Sequence, residues 1–211
     1  MPKIIFMRGP ENEQKYLDFI FQYLNSRIGA LTKDQFNQFK PYFIFRRFDK
    51  KELILKENEV DDHLNVVVEG LVRKFVIAGK NDVTLQLATE GHIIQSEISF
   101  HTRSPSAVML EAIEPTILVS MTYDNVQTIL ATISIAESLG RAMITQMFIK
   151  KDLRYFNQMG KSTRQIFLDY VNNHPHMLQR VPQKILASYL NIKPETFSRL
   201  KHLIRAQKGT D

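Results

Sequence analysis

Residues Val181–Arg205 read VPQKILASYLNIKPETFSRLKHLIR, a stretch that predicts two short helices around a tight turn. Pro182 suits the first turn of one helix and Pro194 that of the next, because the N–H each lacks would have no intrahelical partner there. Leu186, Leu190, Ile192, Phe197 and Leu200 supply an inward apolar face, and Ala187 the small contact that two steeply crossed helices need. Asn191 falls in the turn, and asparagine tolerates left-handed backbone better than most non-glycine residues. The pattern is that of a helix-turn-helix. It leaves Glu195, Thr196, Ser198, Arg199 and Lys201 on the outer face of the second helix, all able to hydrogen-bond base edges or phosphates.

Charge separates this reading from an ordinary helical hairpin. From Gly160 to Asp211 there are nine Lys and Arg against three Asp and Glu, an excess of +6, which is also the net charge of the whole chain. Residues 1–159 therefore balance at nineteen against nineteen. A cationic module beside a neutral one fits a nucleic-acid partner, since neutralising phosphates releases counterions and supplies sequence-independent affinity.

At 211 residues, 44% hydrophobic and 24% charged, the chain has the make-up of a soluble globular protein with one large or two small domains. It has no cysteine, which excludes disulfides, thiolate catalysis, iron–sulfur clusters and zinc fingers. No apolar run is long enough for a membrane span, and MPKIIFMRGPENEQKY is too charged for a signal peptide, so the expectation is a cytoplasmic protein with no membrane partner.

Outward from the C-terminal stretch the periodicity changes twice. The first ten residues read as an irregular or extended arm, followed by a helix over Glu11–Ser26 and a second from the cap Thr32 to about Lys40. From Tyr42 alternation takes over: Phe43, Phe45 and Phe48, then Leu53–Leu55, Leu64–Val68, Leu71–Ala78, a turn at Gly79–Asp82, and Val83, Leu85 and Leu87. After Ile93 and Ile94 a polar interruption precedes strands near Ser106–Ile113 and Thr116–Thr122. About eight short strands predict a small antiparallel roll filled by the alternating side chains. Val126, Ile129, Leu130 and Ile133 suit a short helix. From Ile135 to Met159 runs a proline-free helical pattern in which Leu139, Met143 and Met147 recur every fourth residue with Ile144 and Phe148 beside them. One apolar stripe then holds the roll and another meets a second copy of the chain. Gly160 marks a hinge, and Ser162–Asn173 forms a further helix.

A roll, a long helix, a hinge and a basic helix-turn-helix together resemble the Crp/Fnr superfamily of bacterial transcription regulators, from about Ile28 onward. The most specific piece is QRVPQKILASYLNIKPETFSR, similar to the branch of the form QRVPQK-x-IASYL-G-I-x-PETLSR. Asn191 stands where that pattern has glycine, and Lys193 where it usually has Ser or Thr. A hydroxyl cap is worth about 1 kcal/mol and a lysine opposes the helix dipole, so the expectation for Lys193 is a DNA phosphate contact.

The resemblance implies an α+β fold: an N-terminal antiparallel roll of the cyclic-nucleotide-binding jelly-roll type, a long dimerisation helix and a C-terminal winged helix-turn-helix. The corresponding division is 1–133 for the helices and sensor roll, 134–159 for the dimer helix and 160–211 for the DNA-binding domain. It implies that Glu195 and Arg199 read bases, whereas a further arginine of base-reading members corresponds here to Pro194. Gln183 and Lys184 are expected on phosphates. Cyclic-nucleotide binders of the family carry Gly-Glu-Leu and then Arg-Ser/Thr-Ala; here Ser96-Glu97-Ile98 and Pro105-Ser106-Ala107 take those places, so Glu97 survives and the phosphate-pairing arginine does not. Arg103, two residues away, is the candidate replacement, and Ser96, Glu97, Ile98, Arg103 and Ser106 form the candidate effector site.

No catalytic residue, metal site or cofactor is expected. A metal cupin would need His-x-His with further ligands, whereas His63, His92 and His101 are isolated and His174 and His176 have no third ligand nearby. Without cysteine the iron–sulfur sensing of the Fnr branch is excluded, and no histidine is singled out as a haem ligand. The expectation is a homodimeric, sequence-specific DNA-binding transcription regulator with double-stranded DNA, a small-molecule effector in the roll and RNA polymerase as partners. The alternative is a ligand-binding sensor whose C-terminal unit binds protein.

Overall fold

The structure, a computed structural model, describes residues 10–29, 31–79 and 81–208. Apart from Pro10, which opens the first helix, the expected N-terminal arm lies outside them. The first helices are α1 (Pro10–Ile28) and α2 (Lys33–Phe39). Thr32 caps α2 in a reciprocal box with Gln35, as its position before the apolar pattern led one to expect.

Among the described residues eight strands follow: β1 (Ile44–Phe48), β2 (Leu53–Leu55), β3 (His63–Glu69), β4 (Val72–Ala78), β5 (Asn81–Ala88), β6 (Ile93–Ile94), β7 (Met109–Ala112) and β8 (Thr116–Thr122). They form two four-stranded sheets ordered β1-β8-β3-β6 and β2-β7-β4-β5. Pairing of β1 and β3 on β8 is antiparallel, with Arg46 opposite Leu118 and Asn65 opposite Ser120. Lys80 of the expected turn at Gly79–Asp82 lies outside the described residues, and Gly79 has the positive φ of 64° such a turn uses. Gly70 is required for another reason. At φ 96° its missing Cβ would sit 2.5 Å from the Pro115 carbonyl oxygen.

Parity of the first strand corrects the sequence reading. Phe43 and Phe45 were expected inside the roll with Phe48, but they pack against the cluster formed by Tyr16, Ile20 and Leu24 of α1, Phe36 and Phe39 of α2, and Val66, Val68 and Val119 of the sheet. The inner cluster instead holds Phe48, Val67, Val72, Ile94, Leu110 and Leu118. Because helices cover the outer face of this sheet, apolar residues occupy both parities and alternation alone does not say which face is inner. Two further segments differ. The strand expected from Ser106 begins at Met109, and the polar interruption after Ile94 contains a short helix, α3 (Glu97–Thr102).

Beyond β8, α4 (Tyr123–Thr132) is capped by Thr122, and α5 (Ala136–Gly160), 25 residues long, lies one residue later than the long helix expected over Ile135–Met159. Then come α6 (Thr163–Asn173), with a capping box from Ser162 to Gln165, α7 (Met177–Arg180), α8 (Gln183–Tyr189) and α9 (Pro194–Lys208). The expected wing has no strand among the described residues after Gly160; every regular element there is helical, and α9 runs on through the helix formers of LKHLIRAQK.

Described residues of Met1–Phe75 and Leu87–Met147 form one compact unit, and those of Val76–Gln86 and Phe148–Asp211 a second. Within the second, the tip of the β4–β5 hairpin is fastened to α8: Thr84 N–H donates to Ser188 Oγ at 2.9 Å, and Ser188 Oγ donates to the Asp82 carbonyl at 3.3 Å.

Candidate nucleic-acid interface and effector site

The C-terminal unit builds its exposed face from a small apolar centre. Leu186, Ala187, Leu190, Ile192, Phe197 and Leu200 are all buried, and Phe167 of α6 meets Phe197 edge to face at 5.0 Å between ring centroids. Between α8 and α9 the Ile192 N–H donates to the Ala187 carbonyl at 2.9 Å, and Asn191 takes φ 55°, the left-handed turn expected of it. Arg154 of α5 donates to the carbonyls of Leu85 and Tyr189, and its guanidinium lies 4.0 Å from the Tyr189 ring centre.

With that centre closed, Lys184, Lys193, Glu195 and Arg199 are exposed, and Gln183, Thr196, Ser198 and Lys201 are half-buried. Among the described residues Lys193, Glu195 and Arg199 form no side-chain hydrogen bond or ion pair, so their polar atoms face solvent. The structure thus brings the candidate DNA contacts together on one helix-turn-helix unit. Tyr170 and Tyr189 meet edge to face at 5.6 Å between ring centroids, and burial raises the Tyr170 hydroxyl well above the ordinary tyrosine range.

At the candidate effector end of the roll the expected residues are drawn together but engaged with the protein itself. Ser96 precedes α3 and is buried; its N–H donates to the Asp61 carboxylate at 2.6 Å, and its Oγ lies 2.9 Å from Ser106 Oγ. Glu97 accepts from the Lys74 ammonium at 2.6 Å, and Lys74 also donates to the Gln95 carbonyl at 3.0 Å. Arg103, at φ 57°, donates to the Asp61 carbonyl at 3.0 Å and pairs with Asp62 at 2.5 Å, with its guanidinium 4.4 Å from the Tyr123 ring centre. Ile98 is 77% exposed and brings no polar group.

Sequence reading missed the residues that organise this end. Arg46, Asp61, Asn65, Lys74 and Gln95 are each at least nine-tenths buried. Asp61 accepts the N–H groups of Ser96 and His63, yet burial outweighs those bonds and raises its carboxyl above the ordinary range. The His63 imidazole is pushed down to about 4 by burial and then by the Arg46 charge. One signal was available: Arg46 and Phe48, Asn65 and Val67, and Lys74 and Val72 each share strand parity, so a polar residue recurs beside an inward apolar one on three strands.

The family model of the cyclic nucleotide-binding domain matches residues 45–133. No match is found among curated proteins. Among solved structures, FixK2 from Bradyrhizobium japonicum is similar at 17% identity and a TM-score of 0.64, covering 79% of this chain and 86% of its own. The catabolite activator protein of Thermus thermophilus is similar at 19% identity and a TM-score of 0.53, with 87% of each chain covered. A protein described as a transcriptional regulator of the Crp/Fnr family, from Eubacterium rectale, matches at 16% identity and a TM-score of 0.64 over 84% of this chain and 85% of its own. With the eight-stranded roll, the 25-residue helix and the helix-turn-helix in place, the chain contains a cyclic nucleotide-binding domain at residues 45–133 and shares its fold with regulators of the Crp/Fnr family.

Proposed function

We propose that the protein is a sequence-specific DNA-binding transcription regulator that acts as a homodimer under control of a ligand in the roll. The observation that carries this reading is the pairing of a closed apolar centre around Phe197 with an outer face of unpaired Lys193, Glu195 and Arg199 in the most cationic part of the chain. Arg199 grips guanine O6 and N7, Glu195 accepts from a cytosine amine, and Gln183, Lys184, Lys193 and Lys201 hold phosphates while Thr196 and Ser198 stand beside the bases.

Dimerisation is supported by α5. Leu139 is buried and Met143 and Met147 pack on the outer cluster of the roll, whereas Ile144, Phe148, Ile149, Leu153, Tyr155, Phe156 and Met159 are each more than half exposed in the single chain. Such a stripe is too large to leave in water and matches a second copy of itself. Functionally the chain then divides as 1–133, 134–159 and 160–211, whereas the compact units divide within α5, Phe148–Asp211 going with the hairpin tip Val76–Gln86.

Selection of duplexes from a random pool by the full-length protein tests the reading. The expected result is a pseudo-palindrome with half-sites about one helical turn apart. Arg199→Ala should cost roughly 30-fold in affinity for that site, equivalent to about 2 kcal/mol. Recovery of no common sequence would favour a C-terminal unit that binds protein.

A further inference from the structure

Arg46 is the least satisfied buried charge among the described residues. It sits on β1 with 6% of its surface exposed, yet its guanidinium makes one hydrogen bond, a long one of 3.4 Å from Nη1 to Asn65 Oδ1. That acceptor is shared, because Ser120 Oγ also donates to Asn65 Oδ1 at 2.7 Å. The ring of Phe48 lies 5.0 Å from the guanidinium carbon. A guanidinium has five donors, and the Arg46 nitrogens that bond nothing are not among the fully enclosed side-chain atoms of the described residues, so they are open to an incoming acceptor.

Neighbouring charges do not answer it. Lys74 is closed by Glu97 at 2.6 Å. Asp61 attracts Arg46 through space, but it makes no ion pair with it and spends its oxygens on the N–H groups of Ser96 and His63. His63 stays neutral at ordinary pH. A second orphan lies close in the chain to this network: Gln95 is 3% exposed, its carbonyl accepts from Lys74, and its side-chain Oε1 is buried with no partner.

We propose that the interior of the roll at Arg46 is a binding site for a small carboxylate, whose two oxygens take the free edge of the guanidinium. The assignment rests on reading the roll as a sensor and names the class of its ligand. A singly charged, two-oxygen anion matches the fork of one arginine; a cyclic phosphodiester meets that count too, but its ribose hydroxyls would need an acceptor, and Glu97 is already taken by Lys74. A dianionic phosphate would place two charges beside Asp61 and Glu97 with a single uncommitted cation to meet them.

The test is the melting temperature of the full-length protein titrated with acetate, propionate and benzoate at constant ionic strength, with inorganic phosphate and cyclic AMP as comparators. It reads ligand binding without DNA, so its failure is separate from failure of the DNA-binding reading. The expected result is a saturable rise of about 4 °C at tenfold excess over Kd for at least one carboxylate, and none for phosphate or cyclic AMP. Arg46→Met should abolish the rise. Its carboxylate-free melting temperature should stay within a few degrees of the parent or exceed it, since an apolar replacement removes an uncompensated charge. Should Arg46→Met not fold, Arg46→Lys keeps the charge, loses the fork and should weaken the response at least tenfold. No saturable rise with any of the three carboxylates, a rise with phosphate or cyclic AMP instead, or a carboxylate response that survives in the Arg46 variant would overturn the assignment.

Discussion

The helix-turn-helix and the candidate effector end of the roll use polar residues in opposite ways. In the first, the apolar side chains are buried and Lys193, Glu195 and Arg199 point away from them, with their hydrogen-bonding capacity left for a partner. In the second, Asp61, Lys74, Ser96 and Ser106 are buried and bonded to one another's elements, and even Glu97 and Arg103 are committed to Lys74 and Asp62. The C-terminal unit is thus held by packing and displays its charges, whereas the roll end is held by its charges. Substitutions in the two regions should fail by different physics.

Phe197→Ala should have the largest effect. The ring is fully buried against Phe167, and its loss should cost about 4 kcal/mol of the C-terminal unit's stability, measured by denaturant unfolding, and DNA affinity with it. Asp61→Asn changes no volume but turns one of two acceptors toward Ser96 and His63 into a donor, so about 3 kcal/mol should be lost from the roll. A volume-neutral change that left the roll's stability intact would erase the contrast between the regions.

The pH dependence should separate them further. The folded His63 titrates at about 4 against 6.5 when unfolded, so the unfolded chain binds the proton first as acid is added. Stability from this residue is therefore complete above pH 6.5 and is lost between pH 6.5 and 4, on the order of 2 kcal/mol after screening by solvent. His63→Gln should flatten that slope in an acid unfolding series. Smallest of all, Asn191→Ala should cost about 1 kcal/mol, because alanine tolerates φ near 55° less well.

The same contrast explains what could be read from the sequence. Turn geometry at Asn191, the cap at Thr32, the break at Gly160 and the inward set around Phe197 follow from local chemistry and spacing, and the structure has them where the residues put them. Family likeness supplied Ser96, Glu97 and Arg103 as neighbours, but not their partners. Asp61, Arg46 and Lys74 come from three separate segments, and what joins them is strand register: Arg46 opposite Leu118 and Asn65 opposite Ser120 are facts of pairing over more than fifty residues of separation. The outward packing of Phe43 and Phe45 was hidden for the same reason, since only the helices laid over the sheet make its outer face apolar.

The affinity of the full-length protein for duplex DNA as a function of salt concentration tests the central claim most directly. A dimer placing Lys184, Lys193 and Lys201 of each copy on phosphates should give a slope of log K against log salt of roughly −5. A slope near zero, with the protein folded and dimeric, would contradict it and leave the C-terminal face without nucleic acid as its partner.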